Sequence, residues 1–396
     1  MKNKILLVGQ NPNKYTGNGL LLQTCLNEID YEKNDVCVFT IENDSYEHKD
    51  IFRKNTAKYN SIYTSKPDIW DKKGLLEILS TQMIDQVLFV GLDIWRYLDI
   101  FKEMRILQDR NKFILKALIP YDLNYINTSW LTMMDYFDQV YTYTLNGYNL
   151  IKKEYPTIKY FRPDHPYRSL FKELNPNVKK SLQLQTFPKL GDKTLFLFIA
   201  NNQIRKNVYN TITGFAKAVK QNPNLFLSVH TDDLYQEFNL ENIVKRNKLT
   251  SENIKITTKK QEPQKLAILY SISDCHVLFS LQEGLSLTVL ESKLAGVPSM
   301  LSYTSSHKDF THSSIQQIFP DENHLHPIII DSVPEYDSCL ACSIKTITDA
   351  FLLFENNMCA KEIRGYIDDW FVDCHNFNDI INDNDHKERE QIGMLI

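Results

Sequence analysis

The sequence predicts an α/β protein built from two doubly wound domains that face a central cleft. Short apolar runs of strand length alternate with segments of helical apolar spacing, a pattern typical of parallel sheets with helices on both faces. The alternation begins at Ile5–Val8, weakens across a proline-containing stretch from Tyr155 to Asp192, and starts again at Thr194–Ala200. With 396 residues, 43% of them apolar, the chain can supply a core for each of two domains.

The weak stretch is polar and carries several prolines, which is typical of a connection between domains. We therefore place an N-terminal domain at residues 1–185 and a C-terminal domain at residues 186–375. Residues 376–396 form a polar tail, which either packs back on the N-terminal domain or frays.

Each predicted strand is followed by a helical pattern or a turn. The predicted strands are Ile5–Val8, Val36–Ile41, Gln86–Val90, Phe113–Ile119, Gln139–Thr144, Thr194–Ala200, Leu225–His230, Ile254–Thr257, His276–Ser280 and Ser299–Ser302. The helices that matter most for function are predicted at Leu20–Ile29, Asn207–Lys220 and Ser286–Ala295. In such folds, ligands gather at the carboxyl ends of the strands.

Composition excludes several classes of protein. With 45 basic and 49 acidic residues the net charge is −4, which gives no electrostatic reason to expect nucleic acid as a partner. No apolar stretch approaches the length of a membrane span, and Ile5–Val8 is too short for the core of a signal peptide, so we expect a cytoplasmic protein. A small phosphate-bearing ligand remains possible because it needs only a local patch of positive charge.

The seven cysteines are scattered and odd in number, which indicates reduced thiols. Cys339 and Cys342 form the one CxxC pair, and a zinc site would need Cys359, Cys374 or His375 to complete it. Buried thiols that pack as small apolar groups are the simpler interpretation.

The segment from Asp274 to Pro298 carries the most chemical information. A strand ends in a short loop with Glu283 and Gly284, and Ser286 is placed to cap the helix that follows. The start of such a helix offers unpaired N–H groups and a positive dipole end, which suit a phosphate. Glu291 lies eight residues beyond Glu283; carboxylates repel phosphate but accept hydrogen bonds from sugar hydroxyls.

This segment resembles the E-x7-E signature of retaining, nucleotide-sugar-dependent glycosyltransferases of the GT-B fold, in the family 4 group. The residues that match in order are Asp274, Ser280, Glu283, Gly284, Leu285, Glu291, Ala295, Gly296 and Pro298. The resemblance implies that Glu283 lies beside the transferred sugar and that Glu291 holds the ribose. The donor-binding residues that it implies around this helix are Gly284, Leu285, Ser286, Leu287, Thr288 and Glu291. A capped helix with two solvated glutamates is the plain alternative.

Adjacent cations follow the strand Thr194–Ala200. Arg205 and Lys206 stand just ahead of a helix, where the helix dipole disfavours positive charge unless an anion is bound. The pair resembles the basic residues that hold the donor diphosphate in the same family, with Asn202 nearby on the same loop. Asn207 takes a position where relatives often have glycine. Two solvated surface cations are the alternative.

The first domain resembles the family mainly in its alternation of strands and helices. The loop from Gln10 to Gly19, with Gly17, Asn18 and Gly19, matches the glycine-rich loop near the donor phosphates and the acceptor. Asp122 follows a predicted strand where relatives place a histidine or an acid, so a catalytic role and a turn role both remain open. His165 resembles the histidine of the family's link before the second domain, and a structural role is the simpler interpretation.

The resemblance implies a retaining hexosyltransferase that moves a sugar from UDP- or GDP-sugar to a hydroxyl of a glycan, a lipid-linked or a protein-linked acceptor. It implies no cofactor other than the nucleotide-sugar co-substrate, and we expect no metal, because cations and a helix N-terminus can stabilise the leaving diphosphate. A degenerate scaffold that binds a nucleotide sugar without turnover is the alternative from another class. A GT-B epimerase or phosphorylase is a third possibility.

Overall fold

A computed structural model describes residues 2–13, 16–41, 60–63, 70–92, 94–258, 261–310, 312, 315–318, 325–329, 336–355, 360–372 and 374–384. The chain divides into two compact units, Met1–Pro166 together with the segment from Cys374, and Tyr167–Asp373. Within the described residues, no helix is long and apolar enough to cross a membrane.

The first unit is a parallel sheet with helices. Among its described residues the sheet has seven strands in the order β3-β2-β1-β4-β5-β6-β7. Its strands are β1 (Asn3–Gln10), β2 (Asn34–Ile41), β3 (Asn60–Tyr63), β4 (Gln86–Val90), β5 (Ile114–Ile119), β6 (Gln139–Thr142) and β7 (Lys159–Tyr160). Its helices in chain order are α1 (Gly17–Glu28), α2 (Lys72–Thr81), α3 (Phe101–Asn111), α4 (Thr128–Met134) and α5 (Leu145–Ile151).

Strands β4 and β5 are buried along their whole length, as expected for central strands with helices on both faces. The strand order reverses between β1 and β4, and each of these strands meets a glycine at its carboxyl end. Gly91 has φ +64°, a conformation that only glycine adopts without strain, and a Cβ on Gly9 would lie 2.9 Å from Leu22. These two glycines let α1 pack closely over the strand ends.

The second unit repeats the design. Within the described residues its parallel sheet has the order β10-β9-β8-β11-β12-β13, and β14 and β15 form a separate antiparallel pair. The strands are β8 (Thr194–Ile199), β9 (Leu225–His230), β10 (Ile254–Thr257), β11 (Cys275–Leu278), β12 (Ser299–Ser302), β13 (Ile315–Ile318), β14 (Leu325–Ile329) and β15 (Tyr336–Leu340). The helices are α6 (Pro176–Thr186), α7 (Val208–Gln221), α8 (Leu240–Arg246), α9 (Pro263–Ser271), α10 (Leu287–Leu294), α11 (Ile344–Leu352) and α12 (Ala360–Val372).

The predicted fold class, two doubly wound α/β domains, is confirmed. The units divide at Pro166/Tyr167, nineteen residues before the end of the predicted 1–185 domain. The difference arises because α6 packs on the second unit: Gln183 donates to the Ile272 carbonyl at 2.7 Å, and Lys179 pairs with Asp274 at 3.0 Å.

After α12 the chain returns to the first unit, where α13 (Phe377–Asn382) packs beside α1. The buried amine of Lys116, on β5, donates to the carbonyls of Ile380 and Asp383 at 2.6 Å each and to that of Ile381 at 3.3 Å. A cation at the carboxyl end of a helix is favourable because unpaired carbonyls and the negative dipole end meet there. The start of the predicted tail is thus an anchored helix; residues 385–396 lie outside the described residues.

Candidate active site

Two loops meet at the carboxyl ends of adjacent strands in the second unit. The Arg205 loop (residues 200–207) follows β8, and the Glu283 loop (residues 279–286) follows β11; β8 and β11 are neighbours where the strand order reverses. Leu281 N–H donates to the Arg205 carbonyl at 2.8 Å, and the Asn207 amide donates to the Phe279 carbonyl at 3.0 Å. These bonds hold the two loops together at the place where a doubly wound sheet binds its ligands.

Both cations of the Arg205 loop contact Glu283. Lys206 Nζ lies 2.5 Å from Glu283 Oε1, and Arg205 donates to the Gln282 carbonyl at 3.1 Å and lies 3.4 Å from Glu283 Oε2. Glu283 is 4% exposed, whereas the side chains of Lys206 and Arg205 are 14% and 35% exposed. The buried carboxylate thus lies behind two cations that still reach solvent.

The charge state of Glu283 follows from these contacts. Burial alone would raise the pKa of its carboxyl, but the charges of Lys206 and Arg205 outweigh burial and lower it to about 2. Glu283 is therefore ionised throughout the neutral range. Such a carboxylate accepts hydrogen bonds well and cannot serve as a proton donor at neutral pH.

Two hydroxyl groups also contact Glu283. Ser280 Oγ donates to Glu283 Oε1 at 2.6 Å, and the Glu283 N–H donates to Ser305 Oγ at 3.3 Å. Ser305 belongs to the serine segment (residues 302–307), in which the Thr304 hydroxyl donates to the Leu281 carbonyl at 2.8 Å. The carboxylate of Glu283 is thus held by the Arg205 loop and by Ser280, and its backbone is held by the serine segment.

Sequence reasoning missed the serine segment. His307 in this segment is buried, and burial lowers its pKa to about 4, so the ring is neutral at pH 7. Its Nδ1 lies 3.0 Å from the Ser302 carbonyl, which can only accept, so Nδ1 carries the proton. A run of hydroxyl residues directly after the predicted strand Ser299–Ser302 was the available signal.

Helix α10 begins beside Glu283, but Ser286 does not cap it as the sequence predicts. Ser286 has φ 54°, and its side chain makes no capping bond to the described helix. Its hydroxyl lies 3.5 Å from that of Ser306 instead. The first turn of α10, with Leu287 and Thr288, therefore receives no serine cap, as suits a helix start that meets an external anion. Gly284 and Leu285, both half-buried, connect Glu283 to this turn.

Backbone strain concentrates at the same place. Of the six non-glycine residues with positive φ in the described parts of the chain, three lie in these loops: Asn207, Ser286 and Ser305. Asn207 has φ 54°, a conformation that glycine adopts freely and that asparagine tolerates better than most other residues. Strained backbone of this kind persists where the surrounding contacts hold it, often at functional sites.

Glu291 occupies the inner side of α10 and is buried. Its Oε2 accepts a hydrogen bond of 2.7 Å from the hydroxyl of Tyr270, a residue of α9 that is itself completely buried. Burial, together with the neighbouring Glu291 carboxylate, raises the pKa of Tyr270 well above its usual value, so the phenol stays protonated and donates. Tyr270 therefore fixes the orientation of Glu291.

Two acids beyond the predicted set contact the backbone of the Arg205 loop. The Asn202 N–H donates to Asp232 Oδ1 at 2.8 Å, and the Ile204 N–H donates to the Glu237 carboxylate. The Asn202 side chain is buried and donates to the Phe238 carbonyl at 2.7 Å, while its Oδ1 accepts no hydrogen bond from the described residues. The Arg205 loop is thus held from the β9 side as well as from the β11 side.

The remaining predicted residues belong to the first unit. Gly17, Asn18 and Gly19 form the first turn of α1 rather than a loop, because the Thr16 hydroxyl caps that turn by accepting from Gly19 N–H at 3.1 Å. Asp122 is half-buried in the chain after β5, and His165 is buried close to the end of the unit's first segment. The structure brings together Glu283, Arg205 and Lys206, and it keeps these N-terminal residues in a different unit.

No group of three or more His, Cys, Asp or Glu side chains among the described residues is placed to hold a metal ion. Of the CxxC pair, Cys342 is buried with its sulfur 3.6 Å from the Ile318 carbonyl. The side chain of Cys339 and the whole of Cys359 lie outside the described residues.

Comparisons with known proteins give a family match within the second unit. Residues 180–323, which contain the Arg205 loop, the Glu283 loop and α10, match the family model described as glycosyl transferases group 1. No curated protein sequence matches the chain.

Solved structures match nearly the whole chain. Anabaena HepE in complex with UDP and glucose is 12% identical with a TM-score of 0.68, covering 96% of this chain and 98% of that one. The E. coli trehalose-6-phosphate structure with UDP-2-fluoro glucose is 10% identical with a TM-score of 0.63, covering 96% and 98%. WaaG, a glycosyltransferase involved in lipopolysaccharide biosynthesis, is 14% identical with a TM-score of 0.59, covering 92% and 95%.

At these identities the neighbours establish the fold, which is GT-B. The fold and the match of residues 180–323 to the glycosyl transferases group 1 model together support a glycosyltransferase. The residues that match the glycosyl transferases group 1 model lie in the second unit, which also contains Glu283 and its two cations.

Proposed function

We propose that this protein is a retaining, metal-independent hexosyltransferase that transfers a sugar from UDP- or GDP-sugar to an acceptor hydroxyl. The observation that carries the proposal is the convergence of Arg205, Lys206 and the uncapped start of α10 around the buried Glu283. Three sources of positive charge at one point suit a diphosphate, and the E-x7-E spacing supplies carboxylates for sugar hydroxyls.

In this mechanism Arg205 and Lys206 stabilise the negative charge that develops on the departing diphosphate, as does the start of α10. The bond between the anomeric carbon and the diphosphate oxygen breaks, and the acceptor oxygen forms the new bond on the same face. The acceptor proton passes to the departing diphosphate. Two protein cations and a helix dipole supply the charge that a metal would otherwise provide.

Glu283 orients the sugar in this scheme and does not attack it. Its low pKa and its ion pairs with Lys206 and Arg205 make it a poor nucleophile. Because it stays ionised, it can still accept charge-assisted hydrogen bonds from sugar hydroxyls. Glu291, held by Tyr270, would accept hydrogen bonds from the ribose. Asp122 and Gly17–Gly19, in the first unit, are left for the acceptor side of the reaction.

The test begins with binding. Calorimetric titration of the intact protein with UDP, GDP and ADP should show selective binding of one nucleotide. Lys206→Ala and Glu291→Ala should each weaken it by at least about 1.5 kcal/mol, the value of a lost charge-assisted contact. Lys265→Ala, which removes an exposed lysine paired with Glu262, serves as the matched control. Unchanged affinity in both site variants would refute the site assignment.

Turnover comes next. Release of the nucleoside diphosphate from the selected sugar nucleotide, measured with a panel of hydroxyl acceptors, should occur equally with and without EDTA. The anomeric configuration of the product should equal that of the donor, as read from NMR coupling constants. Binding without any release of diphosphate would instead indicate a scaffold that holds a nucleotide sugar.

A further inference from the structure

The cations of the proposed donor site already have an anionic partner. Lys206 contacts Glu283 at 2.5 Å, and Arg205 approaches the other carboxylate oxygen at 3.4 Å. A donor diphosphate would need the same two cations. The protein therefore contains an internal anion at the point where an external one is to bind.

Position decides how the two anions compete. Glu283 lies behind the cations, 4% exposed, while Lys206 and Arg205 keep part of their surface accessible. A diphosphate can approach from the solvent side, but each cation then divides its attraction between two anions. At this depth salt screens the repulsion between the anions poorly, so the competition persists at physiological ionic strength.

Glu283 cannot simply withdraw. Ser280 Oγ donates to the carboxylate oxygen that contacts Lys206, and Ser305 accepts from the Glu283 backbone. The carboxylate therefore stays within reach of Lys206 while the site is occupied. A sugar on the diphosphate compensates for the shared cations because its hydroxyls donate to Glu283, whereas a bare nucleoside diphosphate offers no such donors.

We propose, resting on the proposed function, that Glu283 is an internal competitor of the diphosphate and promotes release of the nucleoside diphosphate after the sugar has been transferred. Before transfer, the sugar hydroxyls satisfy Glu283 and the intact donor is retained. After transfer, Glu283 regains Lys206 and Arg205 and weakens the hold on the product. Glu283 thus has a positioning role toward the sugar and an opposing role toward the diphosphate.

The decisive variant is Glu283→Gln, which keeps the shape of the side chain and removes its charge. We expect this variant to bind UDP or GDP, whichever the wild type selects, at least about tenfold more tightly, with slower dissociation in stopped-flow displacement. Affinity for the sugar nucleotide should rise less than affinity for the bare diphosphate. Glu291→Gln, at the other buried glutamate of the site, should not tighten binding and is the matched control.

A double-mutant cycle identifies the cause. If Glu283 opposes the diphosphate through Lys206, the gain from Glu283→Gln should shrink at least threefold when Lys206→Ala is already present. Should Glu283→Gln fail to fold, as judged by circular dichroism, Glu283→Asp tests the same point, because its shorter side chain retreats from Lys206 and should also tighten diphosphate binding.

The outcomes separate the two proposals. If the wild type binds none of UDP, GDP or ADP, the proposed function fails. If the wild type binds a nucleotide and Lys206→Ala weakens it, but Glu283→Gln and Glu283→Asp bind it equally or more weakly, the competitor role is overturned and the donor site stands. Tighter binding that persists in full without Lys206 also overturns the competitor role.

Discussion

The molecule buries a charge in each unit, and the two charges are satisfied in opposite ways. Lys116, in the first unit, donates to three main-chain carbonyls at the end of α13. Glu283, in the second, pairs with two side-chain cations that remain partly exposed. Carbonyls of a folded helix cannot leave, so Lys116 joins two segments permanently. Side-chain cations at a surface can exchange partners, so the Glu283 arrangement suits a ligand.

The pKa values show the same contrast. Burial lowers the pKa of Lys116 to about 8, so the amine is still protonated at pH 7. The cations beside Glu283 lower its pKa to about 2 despite burial. The surroundings of Lys116 disfavour its charged form, because burial outweighs the nearby carboxylates. The surroundings of Glu283 favour its charged form, because the two cations outweigh burial. Burial of the Lys116 charge lowers the stability of the fold, and its hydrogen bonds must offset this cost. The ionisation of Glu283 depends on the two cations that a ligand would contact.

The sharpest way to break the comparison is Lys116→Met, for which we expect the largest effect. The variant removes three hydrogen bonds of the amine and leaves the Ile380 carbonyl without its side-chain donor, while Gln86 and Gln139 still donate to the other two carbonyls. At about 1 kcal/mol for each lost bond, the free energy of unfolding should fall by about 3 kcal/mol. Urea unfolding measures this change, and nucleotide affinity should stay unchanged. Lys33→Met, which removes an exposed lysine paired with Asp30, is the control. A loss below about 1 kcal/mol would contradict a permanent structural role.

Acid titration probes the other charge. A carboxyl whose pKa is lower in the folded state stabilises the protein above its unfolded pKa of 4.5, and this stability is lost as the pH falls toward 2. Between pH 5 and pH 3 the wild type should therefore lose about 2 kcal/mol more than Glu283→Gln. Thermal unfolding of both proteins across this range measures the difference. Parallel curves would show that Glu283 is not held ionised by Lys206 and Arg205.

Tyr270→Phe tests whether the donor site depends on support from buried groups as well as on exchangeable ones. Loss of the hydroxyl removes the bond that orients Glu291, so nucleotide affinity should fall by about 1 kcal/mol. The discrimination between UDP or GDP and its 3′-deoxy analogue should fall too, which a purely structural role for Tyr270 would not predict. Tyr209→Phe, at a partly exposed tyrosine of α7, should change neither quantity.

The smallest expected effect concerns the strained turn before α10. Ser286→Gly relieves a left-handed conformation at φ 54°, but it also gives the unfolded chain more freedom. We expect the free energy of unfolding to rise by no more than about 0.5 kcal/mol. Ser286→Val, whose branched side chain fits this conformation poorly, should lower it in the same urea experiment. If Ser286→Gly and Ser286→Val had the same free energy of unfolding, the backbone at Ser286 would not be strained.

The sequence predicted those parts of the molecule that depend on local patterns. The strands Gln86–Val90, Leu225–His230, Ile254–Thr257 and Ser299–Ser302 have the predicted limits. Short apolar runs between polar turns specify the three inner strands, and alternation of apolar and polar residues specifies the edge strand Ile254–Thr257. Helix α13 was missed, since it is only six residues long with three polar residues, and its anchors lie far away in the chain. A lysine inside the apolar strand β5 was the only hint that a partner was needed.

The candidate site divides in the same way. Arg205, Lys206, Glu283 and Glu291 were predicted as single positions from local motifs. The ion pair between Lys206 and Glu283 joins residues 77 apart in the chain, and no local pattern encodes that contact. Ser286 was assigned a capping role that is common for serine, and the backbone conformation prevents it. Ser305 acts through a contact with Glu283, 22 residues away, and His307 belongs to no recognised motif, so neither was predicted.

The anchoring of Lys116 also has a consequence for how the protein is made. Ile380, whose carbonyl accepts from Lys116, is synthesised 264 residues after it. At ribosomal rates of about 5–20 residues per second, that interval is on the order of tens of seconds. The whole second unit is translated during this time, so it can begin to fold before α13 is available. Until α13 is made, Lys116 on β5 lacks the carbonyls that satisfy it.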